Sequence, residues 1–218
     1  TGKLVEFQAI SDDTSSNGFC YDRYTKAKIK NDKAGKVVDI CGVCYSQIML
    51  TTYRKNMRPA LARNEFLAER LLEQDELPTY LRLVMRLDAH GELRTETVDP
   101  ANGKVIKRYN KFTHIENYCR IAEHNPHCTF TLWTKRTDIV KPFFDSRDKP
   151  KNLIIIYSNP QVGTILSKPP KHFDKTFNNV LEDEYVDEQN CTGQKCKDCL
   201  LCYQHGTTDT IVEKVKKY

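Results

Sequence analysis

The chain has no long hydrophobic run. Its apolar stretches, such as Leu153–Tyr157, are far too short to cross a bilayer, and nothing near Thr1 resembles a charged region followed by an apolar one. A soluble, cytoplasmic protein without a membrane partner is therefore expected. The sequence also lacks a Walker phosphate loop, a G-x-G-x-x-G fingerprint and a G-x-S-x-G elbow, which removes the commonest nucleotide-binding and hydrolase signatures. Internal repeats and low-complexity tracts are absent as well. The net charge of +5 comes from 34 basic and 29 acidic residues, a mixed surface with a basic lean. Acidic residues interrupt most basic groups, so a solvated surface explains Lys26, Lys28, Lys30, Lys33 and Lys36 better than a phosphate-binding stripe.

What the chain does have is cysteine, nine in 218 residues, and four of these crowd into Cys191, Cys196, Cys199 and Cys202. Such spacing favours a metal over a disulfide framework. Two successive C-x-x-C steps resemble the turns of bacterial-type ferredoxins, whereas structural zinc usually takes two separated knuckles. An iron–sulfur cluster is the expected occupant, with zinc and a redox disulfide as alternatives. Cys41-x-x-Cys44 forms a second pair at the entrance to a helix, whose free amides favour thiolate. The pair fits a zinc knuckle, a thioredoxin-like motif or half of a cluster site. It is able to share zinc with two later cysteines or to join Cys20 in a three-thiolate site, although Cys20 by itself reads as a loop cysteine.

Cys119 and Cys128 sit inside apolar patterns and read as core. His124, His127 and Cys128 have a ligand-like look, which a helix-to-strand loop at Asn125-Pro126 explains without metal. Asn190-Cys191-Thr192 matches a glycosylation acceptor that a cytosolic chain does not use.

Residues 11–36, rich in Ser, Asp, Asn, Gly and Lys, read as a loop. From Val43 to Gln74 two consecutive helices are expected, with Pro59 in the first turn of the second and Phe66, Leu67, Leu71 and Leu72 as its apolar face. A strand follows at Tyr80–Asp88, a helix through Phe112, Ile115, Cys119 and Ala122, and strands at Cys128–Thr134 and Asn152–Ser158 around a helix at Asp138–Phe144. Phe173–Val180 reads as a last short strand, and Thr210–Lys217 as a short helix or strand. The alternation predicts an α/β fold of parallel strands and helices, as an open sheet or partial barrel. Residues 1–185 would form the α/β domain with its cysteine-containing loop. Residues 186–218 would form a cysteine-rich metal-binding segment packed on that domain.

Several short signatures resemble those of the gene product eighty-eight family of phage and prophage proteins. They are Asn17-Gly18-Phe19-Cys20, Ile40-Cys41-x-x-Cys44-Tyr45-Ser46, Arg86 with Gly91-Glu92-Leu93, Asn125-Pro126, Leu132-Trp133-Thr134-Lys135, Lys149-Pro150-x-Asn152-Leu153, Tyr157-Ser158, and Asn190-Cys191 through Cys202-Tyr203. The resemblance implies a phage-type protein of the host cytoplasm and makes Cys20 a candidate ligand beside Cys41 and Cys44. A more distant similarity is to radical S-adenosylmethionine enzymes, whose barrels begin with a three-cysteine cluster site and carry a Gly-Glu element after the second strand. That similarity implies a related partial barrel, with Gly91-Glu92 and Lys135 as polar groups near the cluster.

Two functions from different classes follow. One is an iron–sulfur protein, of 4Fe–4S type, in electron transfer or cluster-dependent catalysis with a redox partner. The other is a zinc-stapled module for nucleic acid, in which Tyr21, Tyr24, Tyr45 and Tyr53 near basic residues stack bases.

Overall fold

The computed structural model describes residues 8–181, 187 and 189–214. The chain opens with a short extended piece and a helix, α1 (Gly18–Ala34), then passes through short helices α2 (Tyr45–Thr51), α3 (Arg58–Ala62) and α4 (Phe66–Glu69) joined by 3-10 turns. Strand β1 (Val84–Leu87) leads to a hairpin of β2 (Glu96–Val98) and β3 (Val105–Arg108). Helix α5 (Thr113–His124), β4 (Thr129–Thr134), α6 (Thr137–Asp145), β5 (Leu153–Val162) and β6 (Lys175–Val180) follow. A one-turn helix α7 (Cys196–Cys199) and β7 (Thr210–Lys214) close the described chain. Among the described residues no helix is long and apolar enough to cross a membrane.

The main sheet is α/β in class. Its five strands run in the order β1-β4-β5-β6-β7, and every neighbouring pair is parallel. The order never reverses, and the two crossover helices α5 and α6 share one face of the sheet. On that face Met85, Leu87, Phe130, Leu132, Leu153 and Ile155 pack against Ile115, Tyr118, Ile121, Ile139 and Val140. The alternate positions Trp133, Ile154, Ile156 and Ile211 point to the other face, where Tyr203 and the C-terminal cysteines cover them. Strand periodicity thus sends one set of residues to the helices and the other to the site. Buried on both faces, β5 opens as the unbroken apolar run Leu153–Ile156.

Asparagines lock the corners. Asn125 donates from Nδ2 to Pro78 O and Ile121 O and accepts from Tyr80 N, while Asn152 Nδ2 donates to the carbonyls of Ala122, Asn125 and Cys128. Side chains here satisfy carbonyls that a helix end leaves without partners.

Several expectations are corrected. Of the expected loop at residues 11–36, the part up to Asn17 is a turn, but Gly18–Ala34 is a helix: Asn17 caps α1 by accepting from Cys20 N, Gly35 closes it in the left-handed region, and Cys20 lies in the first turn. The helix buries only Gly18, Ala27 and Asn31, so it shows no apolar stripe to read. The two long helices expected from Val43 to Gln74 are short α and 3-10 turns, with Phe66 and Leu71 exposed and Leu67 and Leu72 buried. The strand expected at Tyr80–Asp88 is confined to Val84–Leu87, because Leu81 and Leu83, 95% and 75% exposed, precede the sheet. At the C-terminal end Thr210–Lys214 is a strand, the remaining residues of that expectation lying outside the described ones. The expected boundary at residue 185 also lies outside the described residues.

Candidate functional site

A buried polar knot sets the position of Cys20. The segment beside β1 pairs with it, Ile10 N donating to Arg86 O and Arg86 N to Gln8 O. It then turns through Asp12–Asn17, all of them buried. Arg94 Nε and Nη2 donate to the two oxygens of Asp12, Asn17 Nδ2 donates to Asp12 Oδ2 and Glu92 O, and Ser15 donates to Asp13 Oδ1 through both its amide and its hydroxyl. The first turn of α1, and Cys20 with it, is therefore fixed by charge-assisted hydrogen bonds.

The Cys41–Cys44 turn hangs on the same helix. Asp39 caps it by accepting from Cys41 N (3.0 Å), and Asp39 is itself clamped by Arg23 Nη2 (2.8 Å) and by Asn31. Cys44 stands at the N-cap of α2. Gly42, between the two, sits against the Ala27 carbonyl with no room for a side chain.

Beneath these thiols lies an ion pair. Glu92 is 3% exposed and accepts from Thr134 Oγ1 (2.5 Å), from Lys135 N (3.1 Å) and from Lys135 Nζ (3.2 Å). Burial by itself would lower the Lys135 ammonium, but Cys41, Glu92, Cys44 and Cys20 act on it together and raise it above the ordinary lysine value. Burial pushes the Cys20 thiol well up, with Glu92 and Cys44 adding to the effect; burial also raises Cys41, against the pull of Lys135. Any metal held here would displace thiol protons.

The second group comes from the far edge of the sheet. Cys191 N donates to Val212 O beside β7, and Asn190 fixes the approach by donating to Thr210 O and accepting from Val212 N. Helix α7 carries Cys196 and Cys199, Leu200 turns the chain in the left-handed region, and Cys202 and Tyr203 follow, the Tyr203 ring 5.4 Å from that of Trp133. Gln194 Nε2 donates to Cys199 Sγ (3.4 Å). Burial pushes Cys202 up to about 12, Cys191 and Cys196 adding to the rise and Arg86 opposing it. All four cysteines border one small cavity with Tyr203 and Ile211.

Both groups meet on a larger cavity of about 650 Å³. Cys20, Cys41 and Cys44 line it from one side, Cys191, Cys196 and Cys202 from the other. Glu92 and Lys135, expected near a cluster, line it too. All nine cysteines are described and none is in a disulfide. The thiols surround a space rather than a point: among the described residues no three His, Cys, Asp or Glu side chains stand close enough together to hold a metal ion.

Cys119 and Cys128 are fully buried in the core on the helix face of the sheet, as expected. His124 and His127 take ordinary partners, the first Gln74 and Thr79, the second the Tyr80 carbonyl. Of the tyrosines considered for base stacking, Tyr24 and Tyr45 line the cavity; Tyr53 is exposed and is not among its lining residues. The sequence reading gave no role to Asp12, Arg23, Asp39, Asp88 or Arg94. They follow no motif spacing, although Arg94 and Asp39 each adjoin a quoted signature, Gly91-Glu92-Leu93 and Ile40-Cys41-x-x-Cys44. No protein-family model, curated protein or solved structure matches the chain. The site and the topology therefore define it: a protein of the α/β class with a cysteine-lined cavity on the face of its parallel sheet opposite the helices.

Proposed function

We propose that the chain is an iron–sulfur protein of electron transfer or cluster-dependent catalysis, working in the cytoplasm. The observation that carries the reading is the convergence of six cysteines, from opposite ends of the sequence, on one cavity. Thiolates are soft donors that suit iron–sulfur clusters and zinc alike. A tetrahedral zinc with Zn–S bonds of about 2.3 Å needs its sulfurs roughly 3.8 Å apart around one point. A cluster instead gives each thiolate its own iron and tolerates the wider ring of thiols around this space.

Cys20, Cys41 and Cys44 would hold one cluster, and Cys191, Cys196, Cys199 and Cys202 a second. A cluster on three cysteines supplies an iron with an open coordination position, while one on four serves electron transfer. The chain's own residues do the rest. Asp39 and Asn17 orient the thiol-bearing turns, and the Lys135 ammonium offsets the negative charge of deprotonated thiols.

The gene product eighty-eight resemblance fits this reading, since its signatures fall on both cysteine groups and on Arg86, Glu92, Trp133 and Lys135. The unidirectional strand order supports a partial barrel like that of radical S-adenosylmethionine enzymes, although Gly91-Glu92 follows β1 here and the second strand there. Their compact C-x-x-x-C-x-x-C run is replaced here by thiols from two separate segments.

Anaerobic purification with iron, sulfide and zinc analysis on one sample tests the proposal. A brown protein with iron and sulfide is expected. Cys41→Ser/Cys44→Ser and Cys196→Ser/Cys199→Ser should each remove part of the iron if there are two centres, or all of it if the groups share one. A colourless protein carrying zinc without sulfide would replace the reading with the zinc-stapled module.

A further inference from the structure

Arg86 lines the cavity. It projects from β1 on the face opposite the helices, in register with Thr131, and its guanidinium carbon lies 4.1 Å above the centre of the Trp133 ring. Its Nε is buried and has no hydrogen-bond partner among the described residues. Of the other arginines near the site, Arg23 is matched to Asp39, Arg58 to Asp13, Arg94 to Asp12 and Arg136 to Asp138, while Arg54 is exposed and donates to Met57 Sδ. The one lysine among the lining residues, Lys135, is matched to Glu92. Arg86 makes no ion pair among the described residues.

A guanidinium held over an indole and without a carboxylate partner can take an oxyanion through two parallel hydrogen bonds. The indole holds the fork rigid, so little side-chain freedom is lost on binding. The cavity volume of about 650 Å³ is that of a small-molecule site, and Trp133, Phe177, Met49 and Tyr45 supply apolar lining.

We infer that this cavity binds a small organic anion, its carboxylate or phosphate seated on Arg86 beside Trp133 and its apolar body against Phe177. The inference goes beyond the iron–sulfur reading and does not depend on it, because Arg86 and Trp133 belong to the sheet rather than to the cysteine segments.

The chain has a single tryptophan, so emission from Trp133 reports on this spot alone. As-purified protein of measured iron content would be titrated with phenyl phosphate, benzoate and the neutral benzyl alcohol, followed by Trp133 fluorescence and by calorimetry. Saturable binding of at least one anion is expected, with benzyl alcohol at least tenfold weaker. Arg86→Gln should weaken anion binding tenfold or more, and Arg86→Lys should recover part of it, both at unchanged circular dichroism. The preferred anion sorts carboxylate from phosphate. Binding of neither anion, equal binding of benzyl alcohol, or undiminished binding by Arg86→Gln would overturn the assignment. Should Arg86→Gln fail to fold, the comparison of benzoate with benzyl alcohol on the unaltered protein still decides. Loss of anion binding with iron intact, or anion binding without iron, tells this inference apart from the cluster reading.

Discussion

Arg94 and Asp12 form a two-pronged ion pair, Nε to Oδ2 and Nη2 to Oδ1 at 2.8 Å each, with the arginine side chain wholly buried. The pair ties the loop after β1 to the turn that starts α1. Two parts of the cavity wall, Glu92 on one and Cys20 on the other, thereby keep a fixed relation.

Removing one partner of such a pair leaves a charge buried without compensation. Arg94→Met should destabilise the protein by about 3–5 kcal/mol in urea unfolding, and Asp12→Asn should do so as well. The double substitution should cost less than the two single changes added together, because neither member of the Arg94–Asp12 pair is then left buried without the other; the Glu65 carboxylate, 3.8 Å from Arg94, loses its partner in the single Arg94 variant and the double alike.

Lys135 offsets the charge of Glu92 under the thiols. Lys135→Met should lower stability by about 3 kcal/mol and reduce bound metal, while Lys135→Arg should retain part of both. Metal analysis and thermal melts on the same preparations check this.

Asp88 accepts from Tyr118 OH through Oδ1, while its buried Oδ2 has no hydrogen-bond partner among the described residues. Burial raises its carboxyl well above the ordinary 3.8, and the nearby Asp12 adds to the rise. The folded state therefore keeps a proton that the unfolded chain releases above about pH 4, and stability from this group falls as pH rises from there toward the folded value. Asp88→Asn removes the penalty. Its stability relative to the unaltered protein should grow between pH 4 and 7; a constant difference across that range would contradict the assignment.

Gly42 separates Cys41 from Cys44. A Cβ there would meet the Ala27 carbonyl atoms at 2.9 Å and also the Asn31 side chain. Gly42→Ala should cost about 1–3 kcal/mol through overpacking and push the turn away from α1. Metal bound through Cys41 and Cys44 should fall more than metal bound through the C-terminal group, as compared by iron analysis in a Cys196→Ser/Cys199→Ser background.

Cys119 and Cys128 are fully buried, their thiols pushed by burial up to about 12 and about 11. Alanine at either position should leave metal content unchanged and lower stability by roughly 1 kcal/mol. Loss of metal from either variant would make it a ligand after all.

The sequence by itself determined the strands and helices that bury a continuous apolar face. β4, α5, α6 and β5 were legible because Phe130, Ile115, Ile139 and Leu153 recur at the spacing their elements require, and the C-x-x-C steps were legible because the donor atoms lie close along the chain. Tertiary structure alone decided the rest. Helix α1 has no apolar stripe, and Asn17, Asn31 and Arg23 tie it to residues remote in sequence, so its local composition read as loop. Trp133 and Arg86 were visible as residues, but their stacking depends on β1 pairing with β4. The meeting of Cys20, Cys41 and Cys44 with Cys191, Cys196 and Cys202 follows from the strand order, which no local pattern encodes, because a parallel sheet joins its strands through hydrogen bonds between distant segments.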